Sequence, residues 1–134
     1  MVDSSNSSID ALAPNDQGIM TFYFTSPSLI DSVEYIFYYD DDPYYHSVRS
    51  DISYEYAVED GDFMLTATNN GKDDISYPYL YVLFMDKDDK VLAYDWTGFY
   101  SDEGTLKAGE SVTNKMWGTS TYDHVLIFIS AVKY

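Results

Sequence analysis

His46 and His124 are the only imidazoles of the chain, and with 23 carboxylates they are the groups that could move protons. Acid–base or nucleophilic work needs such a group set against a hydroxyl or a second acid at a fixed spacing. No serine lies in a Gly-x-Ser-x-Gly elbow, the seven glycines stand singly, and neither Gly-x-x-x-x-Gly-Lys nor Gly-x-Gly-x-x-Gly occurs. Carboxylates spread over so many turns form chance pairs readily, so the expectation is a protein that is not an enzyme and needs no cofactor.

Metal chemistry is the next possibility. Asp40-Asp41-Asp42-Pro43 is the densest charge run, and Asp73-Asp74 and Asp86, Asp88 and Asp89 supply further oxygen donors of the kind calcium accepts. The twelve-residue calcium loop nevertheless fails, because no glycine or bidentate glutamate follows at the required offsets. Asp-rich turns are ordinary hairpin chemistry, and no metal ligand is assigned.

Tyrosine is the outlier, with 15 copies in 134 residues. Such rings offer contact area at small entropic cost and can stack on sugar faces or grip a protein. Aromatic residues also favour strands for packing reasons alone, so position decides between the two roles. Tyr79 and Tyr81 share one strand face, Trp96 sits near Tyr94 and Phe99-Tyr100, and Tyr44-Tyr45 falls on an expected loop with little core to serve. The expected contact set is therefore Tyr44, Tyr45, Tyr79, Tyr81 and Trp96, with Asp40, Asp41 and Asp42 steering a cationic partner.

The elements that must hold these side chains follow from composition and pattern. At 46% apolar and 18% aromatic, the chain is too hydrophobic for disorder despite a net charge of -16. The absence of cysteine excludes a disulfide scaffold, thiolate zinc, an iron–sulfur cluster and a cysteine nucleophile. Seven Lys and Arg against 23 Asp and Glu argue against direct nucleic-acid binding and against anionic membranes. No stretch reaches the roughly 18 to 20 apolar residues of a spanning helix, so no membrane insertion is expected. The opening from Met1 to Asn6 lacks the basic and apolar regions of a secretory leader, which leaves a cytoplasmic protein and a mature secreted one both open.

Residues 1–17 read as a flexible leader and residues 18–134 as one domain. Candidate strands span 19–25, 32–39, 51–58, 63–69, 79–86, 91–96, 111–117 and 124–133, each rich in β-branched or aromatic residues and bounded by turn residues. Glu59-Asp60-Gly61-Asp62 is a tight-hairpin signal, Asn69-Asn70-Gly71-Lys72 repeats it, and Asp86 to Lys90 suits a turn with Asp at a left-handed position. No helix is required anywhere. Residues 79–85 are apolar on both faces, as in a central strand, and the last strand behaves likewise. Two such strands imply two packed sheets: an all-β sandwich of about 7–9 mostly antiparallel strands, to which a family likeness adds the expectation of an immunoglobulin-like β-sandwich. Its closing strand pairs far away in sequence, so the C-terminus should not tolerate trimming.

Three segments carry a family likeness. Leu65-Thr66-Ala67-Thr68-Asn69-Asn70-Gly71-Lys72, then Leu83-Phe84-Met85-Asp86-Lys87-Asp88-Asp89-Lys90-Val91-Leu92, then Leu106-Lys107-Ala108-Gly109-Glu110-Ser111 resemble, in order and spacing, the FxLYD-like domains. These are immunoglobulin-like modules of secreted and lipid-anchored proteins of Gram-positive bacteria. Met85 stands where an aromatic is usual in that family, Asp89 where Gly is usual and Ala108 where Pro is usual. The resemblance covers about residues 48–134 and leaves residues 18–47 outside it, as one or two extra strands or as a swapped element. It implies an extracellular or cell-surface module that binds a protein or glycan or acts as a spacer, with no catalytic residue to carry over. The competing expectation is an intracellular acidic inhibitor that mimics nucleic acid and blocks a nucleic-acid-binding protein.

Overall fold

A computed structural model of the chain describes residues 11–25, 27–39, 44–101 and 103–133. The described architecture is all-β, with strands β1 (His46–Ser47), β2 (Ile52–Glu59), β3 (Asp62–Asn69), β4 (Ile75–Ser76), β5 (Tyr79–Met85), β6 (Val91–Gly98), β7 (Thr105–Leu106), β8 (Ser111–Met116), β9 (His124–Ser130) and β10 (Val132–Lys133). One sheet has the order β2-β3-β8 and the other β6-β5-β9, every pairing antiparallel. Short ladders β1-β10 and β4-β7 tie the connecting segments.

Period-two alternation builds the core. Phe63, Leu65 and Ala67 of β3 and Leu80, Val82 and Phe84 of β5 turn inward and are buried, while their sequence neighbours face outward. The two sheets meet through these rows, as the edge-on contact of Phe63 with Phe84 at 5.2 Å shows. On one side the edges of β8 and β6 close on each other: Asn114 Nδ2 donates to the Gly98 carbonyl at 2.9 Å, and the Trp117 amide donates to the Asp95 carboxylate at 2.7 Å. The immunoglobulin-like connectivity expected from the sequence is a finer statement than the all-β sandwich and belongs with the proposal below.

The turns follow local chemistry at two of the three expected places. Asp60 and Gly61 both adopt positive φ, +51° and +86°, which is the tight hairpin turn whose twist matches the strands it joins. In the β5-β6 hairpin Asp89 takes φ +59°, and the Asp86 carboxylate accepts the amides of Asp88 and Lys90 at 2.8 and 2.9 Å. Asn70-Gly71 departs from expectation, because neither residue has positive φ and the chain there crosses from β3 toward the other sheet. Asn69 directs that crossing: its buried side chain donates to the carbonyls of Asp73 and Leu106 at 2.9 and 3.0 Å and accepts the Gly71 amide at 2.9 Å.

Residues 107–110 form a turn with Gly109 at φ +77° and the Glu110 amide on the Lys107 carbonyl. Ala108, in the position that favours proline in such turns, uses the amide a proline would lack, donating it to Asp74 at 2.9 Å.

The expected strands at 19–25 and 32–39 are not formed, and the sandwich strands all lie between residues 46 and 133. Residues 11–25 instead run against the sandwich: Asp16 meets Ser47 and Arg49, and the Tyr23 hydroxyl lies 3.1 Å from that of Tyr94. Residues 27–29 form a single 3-10 turn. Strands β1, β4 and β7, two residues each, carry too little pattern to be read from sequence.

Candidate functional site

The outward face of the β6-β5-β9 sheet gathers the rings. Register sets Tyr81 beside Trp96 of β6 and Phe128 of β9, Leu83 beside Tyr94 and Leu126, and Tyr79 beside Gly98 and Ser130. Trp96 stands between two tyrosines, 5.5 Å from Tyr79 and 6.0 Å from Tyr81, stacked on the latter with 24° between the planes. These are the offset arrangements that aromatic quadrupoles favour.

Gly98 extends the row. A Cβ there would lie 2.1 Å from the Tyr100 ring, so the missing side chain is what lets that ring fold over the sheet. Tyr100 then meets Tyr79 edge-on at 6.1 Å and Tyr77 at 5.3 Å. Tyr77 itself holds φ +49°, costly for a bulky residue. The result is a continuous row of rings, Tyr77, Tyr100, Tyr79, Trp96 and Tyr81, in which Trp96 remains 49% exposed. A side-chain hydrogen bond with Tyr100, then burial, raises Tyr79 above its ordinary 10.0, and a hydrogen bond with Tyr23, then burial, raises Tyr94 likewise.

Of the expected contact set, the structure brings together Tyr79, Tyr81 and Trp96. Tyr44 and Tyr45 pack edge-on at 5.6 Å in the approach to β1, which pairs with β10 and not with the β6-β5-β9 sheet. Asp40, Asp41 and Asp42 lie outside the described residues. Tyr77 and Tyr100 join the row without having been in the expected set. The signal for them is Gly98, which only the hairpin register places opposite Tyr79.

Several of the described acidic residues are engaged by other parts of the fold. Besides Asp86, Asp73 pairs with Lys133, Asp74 accepts the Ala108 amide, and Asp89 lies 3.1 Å from His124 Nε2. Among the described residues no group of three His, Asp or Glu converges as a metal site, and neither histidine hydrogen-bonds a serine. No helix of the described residues is long and apolar enough to cross a membrane.

His124 sits between two carboxylates, with Nδ1 3.0 Å from Asp123. The Asp123 hydrogen bond first, with the Asp89 charge adding, raises its pKa above the ordinary 6.5, while desolvation opposes. A raised folded-state pKa means that the stabilisation is full below pH 6.5 and is lost as pH rises through the folded value. NMR titration should therefore show His124 protonating above 6.5, and the melting temperature of His124→Gln should lose that part of the wild-type pH dependence.

Apart from the ring row, a cleft of about 480 Å³ lies at the β2-β3 turn and the segment after β8, lined by Phe63, Phe84 and Met116. At its rim Lys115 pairs with Asp62 at 2.7 Å and covers the Trp117 ring at 4.5 Å. No family model, curated protein or solved structure matches the chain.

Proposed function

We propose that this domain is a non-catalytic, immunoglobulin-like recognition module of a secreted or cell-surface bacterial protein, and that it binds a glycan or protein partner through the ring row of the β6-β5-β9 sheet. The observation that carries this reading is the half-exposed Trp96 set between Tyr79 and Tyr81. Cross-strand aromatic pairs stabilise a sheet wherever they occur, but a ladder serving only stability gains most by covering its rings. Here the rings tile a broad surface and leave the indole in water, as rigid contact anchors do. The three turn motifs resembling FxLYD-like domains support the same placement, and they rest on sequence alone.

Trp96→Ala should weaken binding of the partner at least about tenfold, as truncation of a central aromatic anchor does, while costing about 1 kcal/mol of stability through lost ring contacts. In a Trp117→Phe background the remaining indole is Trp96. Its emission should respond to soluble cell-surface polysaccharide or to an isolated surface protein and should keep responding in high salt. A response that vanishes as salt is added would favour the acidic mimic of nucleic acid instead, since phosphate-like recognition is screened within a Debye length.

A further inference from the structure

The sandwich is one strand short on the side opposite Asn114 and Gly98. β9 pairs with β5 along one edge, and no described strand pairs with its other edge between His124 and Ser130. Only beyond it does β1 take up that position, pairing with β10 and donating the Val48 amide to the Ala131 carbonyl at 3.0 Å. The chain then turns away at Arg49–Asp51 into β2.

The facing sheet shows the same gap. Tyr54, Tyr56 and Val58 lie on the core face of β2, in register with the buried Ala67, Leu65 and Phe63, but they are 45%, 51% and 59% exposed. Across from them Val125 and Ile127 of β9 are only partly buried although they pack on the core. An unpaired strand edge beside an uncovered core face is the geometry that β-strand addition fills.

The same chain carries a strand-like sequence that forms no strand in this structure. Residues 31–39 are all exposed, and no hydrogen bond ties residues 30–39 to the sandwich among the described residues. In an extended conformation the segment would set Val33, Tyr35, Phe37 and Tyr39 on one face and Ser32, Glu34, Ile36 and Tyr38 on the other. We propose that residues 32–39 of a second copy of this chain add to the free edge of β9 as an antiparallel strand, with Val33, Tyr35, Phe37 and Tyr39 covering Tyr54, Tyr56 and Val58.

Chain length assigns the donor to a second copy. An antiparallel segment 32–39 laid along β9 would place Tyr39 near His124, whereas His46 is held at Lys133. The seven Cα steps from Tyr39 to His46 span at most about 25 Å. The nine Cα steps from His124 to Lys133, through β9, Ala131 and β10, extend about 30 Å. Within one copy the whole of residues 32–39 fits along β9 only as a parallel ladder, the weaker pairing and one that the described strands do not use.

Sedimentation of the full chain across a wide concentration series tests this. The wild type should self-associate, and more strongly as salt is added, because two copies of charge -16 repel. Tyr35→Ser/Phe37→Ser, which leaves the charge and the sandwich untouched, should raise the dissociation constant at least about tenfold and remain folded. Mixing that variant, isotope-labelled, with unlabelled wild type should shift and protect the labelled amides of Val125 to Ile129. A monomeric wild type, a variant that associates unchanged, or shifts confined to the Trp96 face would overturn the proposal. So would β9 amides protected in a wild type that stays monomeric, which would place the added strand in the same copy.

Discussion

Removal of residues 124–134 is expected to abolish cooperative folding altogether. β9 supplies Val125, Ile127 and Ile129 to the inner face of its sheet, in register with Phe84, Val82 and Leu80, which are among the most buried side chains of the molecule. Full burial of one such aliphatic chain is worth about 1.5–3 kcal/mol. A domain of this kind keeps only about 5–15 kcal/mol in total. Deletion also strips β5 of one of its two neighbours, exposing the amides and carbonyls that now pair with β9. Circular dichroism with urea titration should show no cooperative transition for the truncated chain. A normal transition would mean that the core is built elsewhere.

Asn69→Ala should be the most damaging single substitution of a polar residue. The side chain is fully buried at the end of β3, and its amide bridges the carbonyls of Asp73 and Leu106 while its oxygen holds the Gly71 amide. The backbone of the same residue donates to Glu110 and accepts from Gly109, so a single position knits the β3 exit to the turn before β8. Truncation leaves two carbonyls and one amide unsatisfied, each costing about 1–3 kcal/mol if water does not reach it. A loss of about 3 kcal/mol is expected after partial relaxation. Asn69→Asp should be nearly as severe, because a carboxylate cannot donate to either carbonyl. Thermal unfolding of both variants checks this, and a loss under about 1 kcal/mol for either would show that the three bonds contribute little.

What could be read from sequence was what local chemistry decides. Asp60-Gly61 and Asp89 bend as their residue types demand, and residues 79–85 read as central because both faces are apolar. Asn69-Asn70-Gly71 was misleading for the same reason: it has turn chemistry, but a buried amide serving three partners is set by tertiary contacts that no local pattern reports. Residues 32–39 have every propensity of a strand and form none, since a strand needs an edge to pair with and propensity does not supply one. Tyr79, Tyr81 and Trp96 were legible as a site through alternation. Tyr77 and Tyr100 were not, because their place depends on a glycine two residues before Tyr100 and on a backbone conformation that sequence does not reveal.

The ring row is tested most directly by capture on two columns, one carrying the wild-type domain and one carrying Trp96→Ala, each exposed to the same cell-surface extract and eluted along a salt gradient. Glycan or surface protein retained to high salt by the wild type and lost from the variant is the predicted result. Equal retention on both columns, or nucleic-acid-binding proteins leaving both at moderate salt, would contradict it.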